Sequence, residues 1–207
     1  MSTLLVETLT RLQHPEVAHQ LPSTLIYTTC AEFAKLMPLL GPALHFASYD
    51  VNKKLDALQW HVNEVSRANR QPRDEQFGYS LRHLMKAEIQ GGSAQSSYSA
   101  PSLTRTVQRL LWMLDFLQAL LSGLVHPRAA DMSVQEVATA VYHERLKEHH
   151  RWLVQKAVLL VLHACPSRIT FDERLEPDMQ RQLATLLRAP VAALTSFFQE
   201  QGLGDVE

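Results

Sequence analysis

Two arginines one helical turn apart head an otherwise apolar row. Within SLTRTVQRLLWMLDFLQALLSGL, residues 102–124, a helical reading at about 100° per residue puts Arg105, Arg109, Trp112, Phe116 and Gly123 close to one line. Like charges at i and i+4 repel unless an anion is shared between them, or unless each finds a carboxylate on a neighbouring helix. The pair therefore suits either an acidic ligand or two structural ion pairs. Asp50 and Lys54 repeat the design at the border of the apolar arc Ala47, Val51, Leu55, Leu58, Val62 and Val65. Taken alone they are an i,i+4 ion pair worth about 0.3–0.5 kcal/mol. His150 heads a third row, with Val154, Ala157 and Val161 behind it; a core histidine satisfied by a backbone carbonyl is the plain alternative. If these polar ends converge, they make a site of one carboxylate, one imidazole and three cations opening on an apolar channel. That combination fits a lipid with a phosphate head.

Other chemistries lack their residue patterns. The chain holds ten histidines and two cysteines, yet no H-E-x-x-H occurs, and His143, His149 and His150 do not share one helical face. Cys30 and Cys165 form no ligand or framework pair by spacing, and both are expected to serve burial. Neither a G-x-S-x-G nor a phosphate-cradling glycine loop is present. The expectation is a binding protein with no catalytic residue, no metal and no cofactor. A net charge of −1 with a pI near 6.8 gives no global basic field, so nucleic acid is not an expected partner and any cation site must be local. No apolar run approaches the roughly 20 residues of a membrane span, and the first residues lack a signal-peptide pattern. Those features read as a soluble, cytoplasmic chain.

The elements that must position these residues are helical throughout. Residues 1–21, with Pro15 and Pro22, read as a loose lead-in to one domain over 22–207. A helix starts at Pro22-Ser23-Thr24 and meets Pro38; Gly41-Pro42 restarts a second that runs to about Arg67. The tract ANRQPRDE reads as a loop, FGYSLRHLMKAEI as a helix ended by Gly91-Gly92, and GGSAQSSYSAPS as a flexible connection. The arginine helix follows from about Pro101 to Gly123. Its polar residues, Gln108, Asp115, Gln118 and Ser122, occupy a narrow sector, which puts it in the middle of the protein. After HPRAADMS, Ser133 and Glu136 are spaced as a capping box; that helix breaks near His149 before RWLVQKAVLLVLHAC. The segment PDMQRQLATLLRAPVAALTSFFQEQ closes the pattern. No stretch alternates with period two. An all-α bundle of about seven or eight helices follows.

The residues YDVNKKLDAL, LTRTVQRLLWMLDFLQALL and VYHERLKEHHRWLVQKAVLLVLHACP, in that order, resemble the glycolipid transfer protein superfamily over roughly residues 22–203. The resemblance implies a two-layer helical bundle that encloses an apolar lipid cavity. Asp50 falls where the family's aspartate accepts the amide N–H of a sphingoid base, and His150 where its histidine donates to the acyl carbonyl. Lys54, Arg105 and Arg109 match the basic triad of members that carry phosphorylated sphingolipids. Glycolipid-binding members have at the Arg109 position a tryptophan on which a sugar stacks, whereas a guanidinium suits phosphate. The sequence is thus similar to the ceramide-1-phosphate branch, which includes plant cell-death regulators.

The resemblance further implies that Trp152 contacts the membrane, while Trp112, Phe116, Val154, Ala157 and Val161 border the lipid chains or the membrane. HPRAADMS is a second candidate for membrane contact. Asn52 coincides with a sugar-contacting asparagine by counting alone. Some phosphate-binding relatives add a basic residue before the arginine helix; GGSAQSSYSAPS supplies none, which leaves Arg82 and Lys86 as substitutes to be tested. The implied function is non-enzymatic transfer of a sphingolipid phosphate between membranes by a cytoplasmic monomer that touches membranes peripherally, with any protein partner unknown. A lipid-sensing module using the same pocket and a glycolipid carrier are the alternatives.

Overall fold

The computed structural model describes residues 3–68, 78–92 and 102–203. Their helices are α1 (Thr3–Arg11), α2 (Pro15–Gln20), α3 (Ser23–Leu40), α4 (Pro42–Ala68), α5 (Leu81–Gln90) and α6 (Leu103–Leu124). They continue as α7 (Val134–Arg145), α8 (Trp152–Leu162), α9 (Arg168–Arg174), α10 (Pro177–Leu186) and α11 (Arg188–Glu200). Short 3-10 turns occupy Pro127–Ala129 and Lys147–His149. No strand forms among the described residues; an isolated bridge pairs Pro22 with Ser80.

Helix α6 is central, as its narrow polar sector predicts. It packs against α4, α5, α7, α10 and α11, with buried residues in every turn from Leu103 to Leu124. Even the polar sector is used inside the fold: Gln108 is buried and donates to the Leu203 carbonyl at 2.9 Å, and Gln118 donates to Ser122 Oγ at 3.1 Å. Gly123 lets α7 approach closely, because a Cβ there would stand 2.9 Å from Val137 Cγ1. The turn between α3 and α4 is the single residue Gly41, at φ +133°, where a Cβ would meet Pro166 Cδ at 2.8 Å. Pro38 does not end α3; it sits in the last turn of a helix that runs on to Leu40.

Two expectations are corrected. Residues 3–20 are not a loose lead-in but fold as α1 and α2. Leu5 and Leu9 on α1, and Leu12 just past its end, recur at helical spacing and are fully buried in the main core, and α1 packs against α3 and α10. Prolines 15 and 22 delimit these helices rather than prevent them: Pro15 is the first residue of α2, where its missing N–H costs nothing. The helix count is accordingly higher than seven or eight. It also rises because the C-terminal run divides at Leu187 into α10 and α11, and because α9 forms after a Ser167 cap.

The capping box at Ser133 and Glu136 is present, with Ser133 N and Oγ donating to the carboxylate at 2.7 and 2.8 Å. The break near His149 is present too. The tracts ANRQPRDE and GGSAQSSYSAPS fall almost wholly outside the described residues. No helix among the described residues is long and apolar enough to cross a membrane.

Candidate functional site

Asp50 and Lys54 lie on the first half of α4 and form an i,i+4 ion pair through Asp50 Oδ2. The lysine, not the carboxylate, is the more buried partner. The Asp50 side chain is 66% exposed and that of Lys54 only 15%. The lysine stem therefore lies along the apolar border of α4, beside buried Val51 and Leu55, and its ammonium emerges at the aspartate. Asp50 presents its remaining lone pairs to solvent, which is what accepting an N–H from an incoming ligand needs.

His150 is not on a helix. It has extended backbone (φ −114°, ψ 132°) between the 3-10 turn Lys147–His149 and Arg151, the N-cap of α8. Counting a helical wheel from His150 therefore fails, and its ring is placed by other contacts. Tyr142 on α7 puts its hydroxyl 3.1 Å from His150 Nδ1, with the two ring centroids 5.8 Å apart. Gln155 Nε2 donates to the His150 carbonyl at 2.7 Å and to the Lys147 carbonyl at 2.9 Å, fixing the backbone of the break. Burial holds the His150 imidazole below its ordinary value of 6.5; His149 and Lys54 push the same way and Asp50 opposes them. The ring is thus neutral near pH 7, and the α4 ion pair lies within electrostatic reach of it.

The α6 stripe arrives at the same place through an aromatic contact. Trp112 stacks on His149 with centroids 4.0 Å apart and planes 3° from parallel. Arg109 precedes Trp112 by three residues, about 4.5 Å along the helix axis, and Arg105 lies one turn further back. Arg109 is exposed and Arg105 half-buried. Among the described residues no ion pair forms between a carboxylate and Arg109. One turn beyond Trp112, Asp115 faces Arg145 at 3.7 Å. Burial raises the Asp115 carboxyl, Arg145 and His149 lower it, and Glu144 raises it.

The remaining predicted contacts divide. Phe116 is buried. On α8, Trp152 is 68% exposed, Val154 and Ala157 are exposed, and Val161 is half-buried. Asn52 is exposed on α4. Arg82 is committed elsewhere: it is buried, pairs with Glu200 at 2.7 Å and donates to the His19 carbonyl at 2.8 Å, tying α5 to α2 and α11. It is therefore no substitute cation for this site. Burial pushes the Cys30 thiol up to about 12 and also raises Cys165, so neither is a thiolate at neutral pH.

Two supporting residues escaped the sequence reading. Glu88, near the end of α5, reaches the start of α6 and accepts from Leu103 N at 2.8 Å, Thr104 N at 2.7 Å, Ser102 Oγ at 3.1 Å and Thr104 Oγ1 at 2.5 Å. Together with Ser102, whose Oγ accepts from Arg105 N, it fills the α6 N-terminus. The first-turn N–H groups of α6 are thus taken by Glu88 and Ser102. No local signal reveals Glu88, because its partners lie 14–16 residues on. Tyr142, which meets His150 across the helix break, carries only its spacing of eight residues.

Comparison with known proteins identifies the family. The family model described as Glycolipid transfer protein (GLTP) matches residues 24–177. The chain is 26% identical over 168 residues to the ceramide-1-phosphate transfer protein of Danio rerio, covering 81% of this chain and 77% of that one. It is 27% identical over 165 residues to accelerated cell death 11 of Arabidopsis thaliana, covering 80% and 70%. In three dimensions it is similar to the human ceramide-1-phosphate transfer protein crystallised with 12:0 ceramide-1-phosphate, at a TM-score of 0.78 over 99% of this chain and 97% of that one with 22% identity. With a family match across most of its length and an all-helical fold shared with solved members, the chain belongs to the glycolipid transfer protein family.

Proposed function

We propose that this protein carries a sphingolipid phosphate of the ceramide-1-phosphate type between membranes, by binding and release without chemistry. The observation that carries the reading is Arg109: an exposed guanidinium, with no carboxylate paired to it among the described residues, at the position where glycolipid-binding members have a tryptophan. Relatives named for ceramide-1-phosphate transfer support the same choice. In this reading Arg105, Arg109 and Lys54 bind the phosphate, Asp50 accepts the sphingoid amide N–H, and neutral His150 donates to the acyl carbonyl.

Energetics explain why selection belongs to the head group. About 30 chain methylenes, at roughly 0.8 kcal/mol each, resist entering water by about 20 kcal/mol or more, so the carrier must keep them dry. A bilayer is equally apolar, and chain burial in the protein only offsets leaving it. Charge-assisted bonds to the phosphate then decide which lipid is taken. Helix α8 docks on the membrane, with Trp152 and Leu153, 68% and 72% exposed, entering the interfacial layer.

Transfer of labelled ceramide-1-phosphate between vesicles tests the assignment. Arg109→Leu should slow transfer by about 10- to 100-fold, the loss of one hydrogen-bonded charge pair. Undiminished transfer by the variant overturns the phosphate role. A wild-type preference for a glycosylated ceramide in the same assay overturns the choice of branch.

A further inference from the structure

The head-group reading uses His150 as a donor, but an imidazole is a donor at one nitrogen and an acceptor at the other, and which is which has to be set. We propose that Tyr142 is the positioning residue that sets it: its buried hydroxyl donates to His150 Nδ1, so that the proton of the neutral ring stays on Nε2 and is offered to the carbonyl of the lipid. The proposal rests on the reading that His150 meets that carbonyl.

Tyr142 is fully buried on α7, among the largest side chains with no exposed surface, so its phenol is held by packing. Burial also holds its acidity down, and the group stays an O–H donor. Among the described residues the hydrogen-bond partner of this hydroxyl is His150 Nδ1, at 3.1 Å. Two role assignments are open to that contact. If Nδ1 carried the proton and donated to the phenol oxygen, the phenolic O–H would be buried with no acceptor, which costs about 1–3 kcal/mol. If the phenol donates, both groups are satisfied and Nε2 bears the hydrogen. The second arrangement wins on energy. Gln155 acts separately, on the backbone carbonyl of the same residue, so the ring and the main chain of His150 are held by different hands.

The consequence is selectivity. A ring fixed as the Nε2–H tautomer attracts a carbonyl oxygen, whereas a ring free to exchange spends part of its time with a lone pair aimed at it. Removing the phenolic oxygen should therefore weaken ligands that present an acyl carbonyl while leaving the phosphate contacts of Arg105 and Arg109 in place.

Histidine-labelled protein read by long-range proton–nitrogen NMR at pH 7.5 tests this without ligand, the His150 signals being assigned from their loss in His150→Ala. The wild type should show an unprotonated Nδ1 and a protonated Nε2; a protonated Nδ1 overturns the proposal. Tyr142→Phe should shift His150 towards a tautomer mixture and weaken equilibrium binding of ceramide-1-phosphate about five- to tenfold, with no further loss when added to His150→Ala. Wild-type affinity in Tyr142→Phe alongside a weakened His150→Ala sinks the Tyr142 role alone. Wild-type affinity in His150→Ala sinks the head-group reading instead, while the spectra still decide whether Tyr142 sets the tautomer.

Discussion

Helices α6 and α8 are the two most apolar parts of the site region, and they live in opposite surroundings. Helix α6 buries most of its residues along its whole length, Arg109 being exposed, and packs against five neighbours. Helix α8, WLVQKAVLLVL, buries only Leu162; Leu153 and Leu160 are 72% and 73% exposed. Composition cannot explain the difference. The N-terminus of α6 is fastened by Ser102 and Glu88, whereas Arg151 caps α8 with no side-chain hydrogen bond. One helix is thus the fixed wall that carries Arg105 and Arg109. The other follows a break in the chain and turns large apolar side chains to solvent.

The largest effect expected to sharpen this contrast is a pair of truncations. Leu114→Ala, at a fully buried position of α6, should cost about 2–5 kcal/mol in urea unfolding through lost burial and a residual cavity. Leu153→Ala on α8 should stay within about 0.5 kcal/mol of the wild type while reducing association with vesicles. Equal losses of stability from the two changes would break the comparison.

Next in size is the fastening of α6. Glu88→Ala removes the acceptor of four hydrogen bonds, two of them from backbone N–H groups. It should lower stability by about 2 kcal/mol and speed amide exchange at Leu103 and Thr104. Glu88→Gln, which keeps one oxygen acceptor, should lose less. In the wild type the first-turn amides of α8 should already exchange faster than those of α6; slower exchange in α8 would contradict its uncapped, exposed setting.

What was legible in the sequence was local or periodic. The central place of α6 followed from a polar sector too narrow for a surface helix, and the capping box from two residues three apart. The N-terminal segment is equally periodic, through Leu5, Leu9 and Leu12, but a proline does not by itself tell a break from a helix start, and here Pro15 begins α2 and Pro22 caps α3. Of the candidate residues Asp50, Lys54, Arg105, Arg109 and His150, the fold sets His150 within electrostatic reach of the α4 pair. The means of holding them was not legible. Glu88 acts across a connection, and Tyr142 meets His150 only because the chain bends between them, so neither leaves a pattern at a fixed period. A helical wheel misplaced His150 for the same reason: the chain there is extended.

The smallest expected effect is a pair of opposite pH dependences, one on each side of the contrast. Burial keeps the folded-state pKa of His150 below the unfolded value of 6.5, so between the two the unfolded chain binds more protons. The contribution of this ring is therefore full above 6.5 and is lost as pH falls through 6.5 to the folded value. Asp115 on α6 behaves the other way: its carboxyl, raised by burial above 3.8, takes up its proton first in the folded chain. Its cost to stability is present at neutral pH and is relieved as pH falls through the folded value. Thermal melts of the wild type, His150→Asn and Asp115→Asn between pH 8 and 5 separate the two. The wild type should lose less than about 1 kcal/mol more than His150→Asn over that range, a shift of about 2–4 °C at most. Asp115→Asn, by removing the buried charge, should melt at or slightly above the wild type at neutral pH. A clear fall would instead mean that the pairing with Arg145 outweighs burial, and that α6 depends on its polar rim more than its enclosure by five helices suggests.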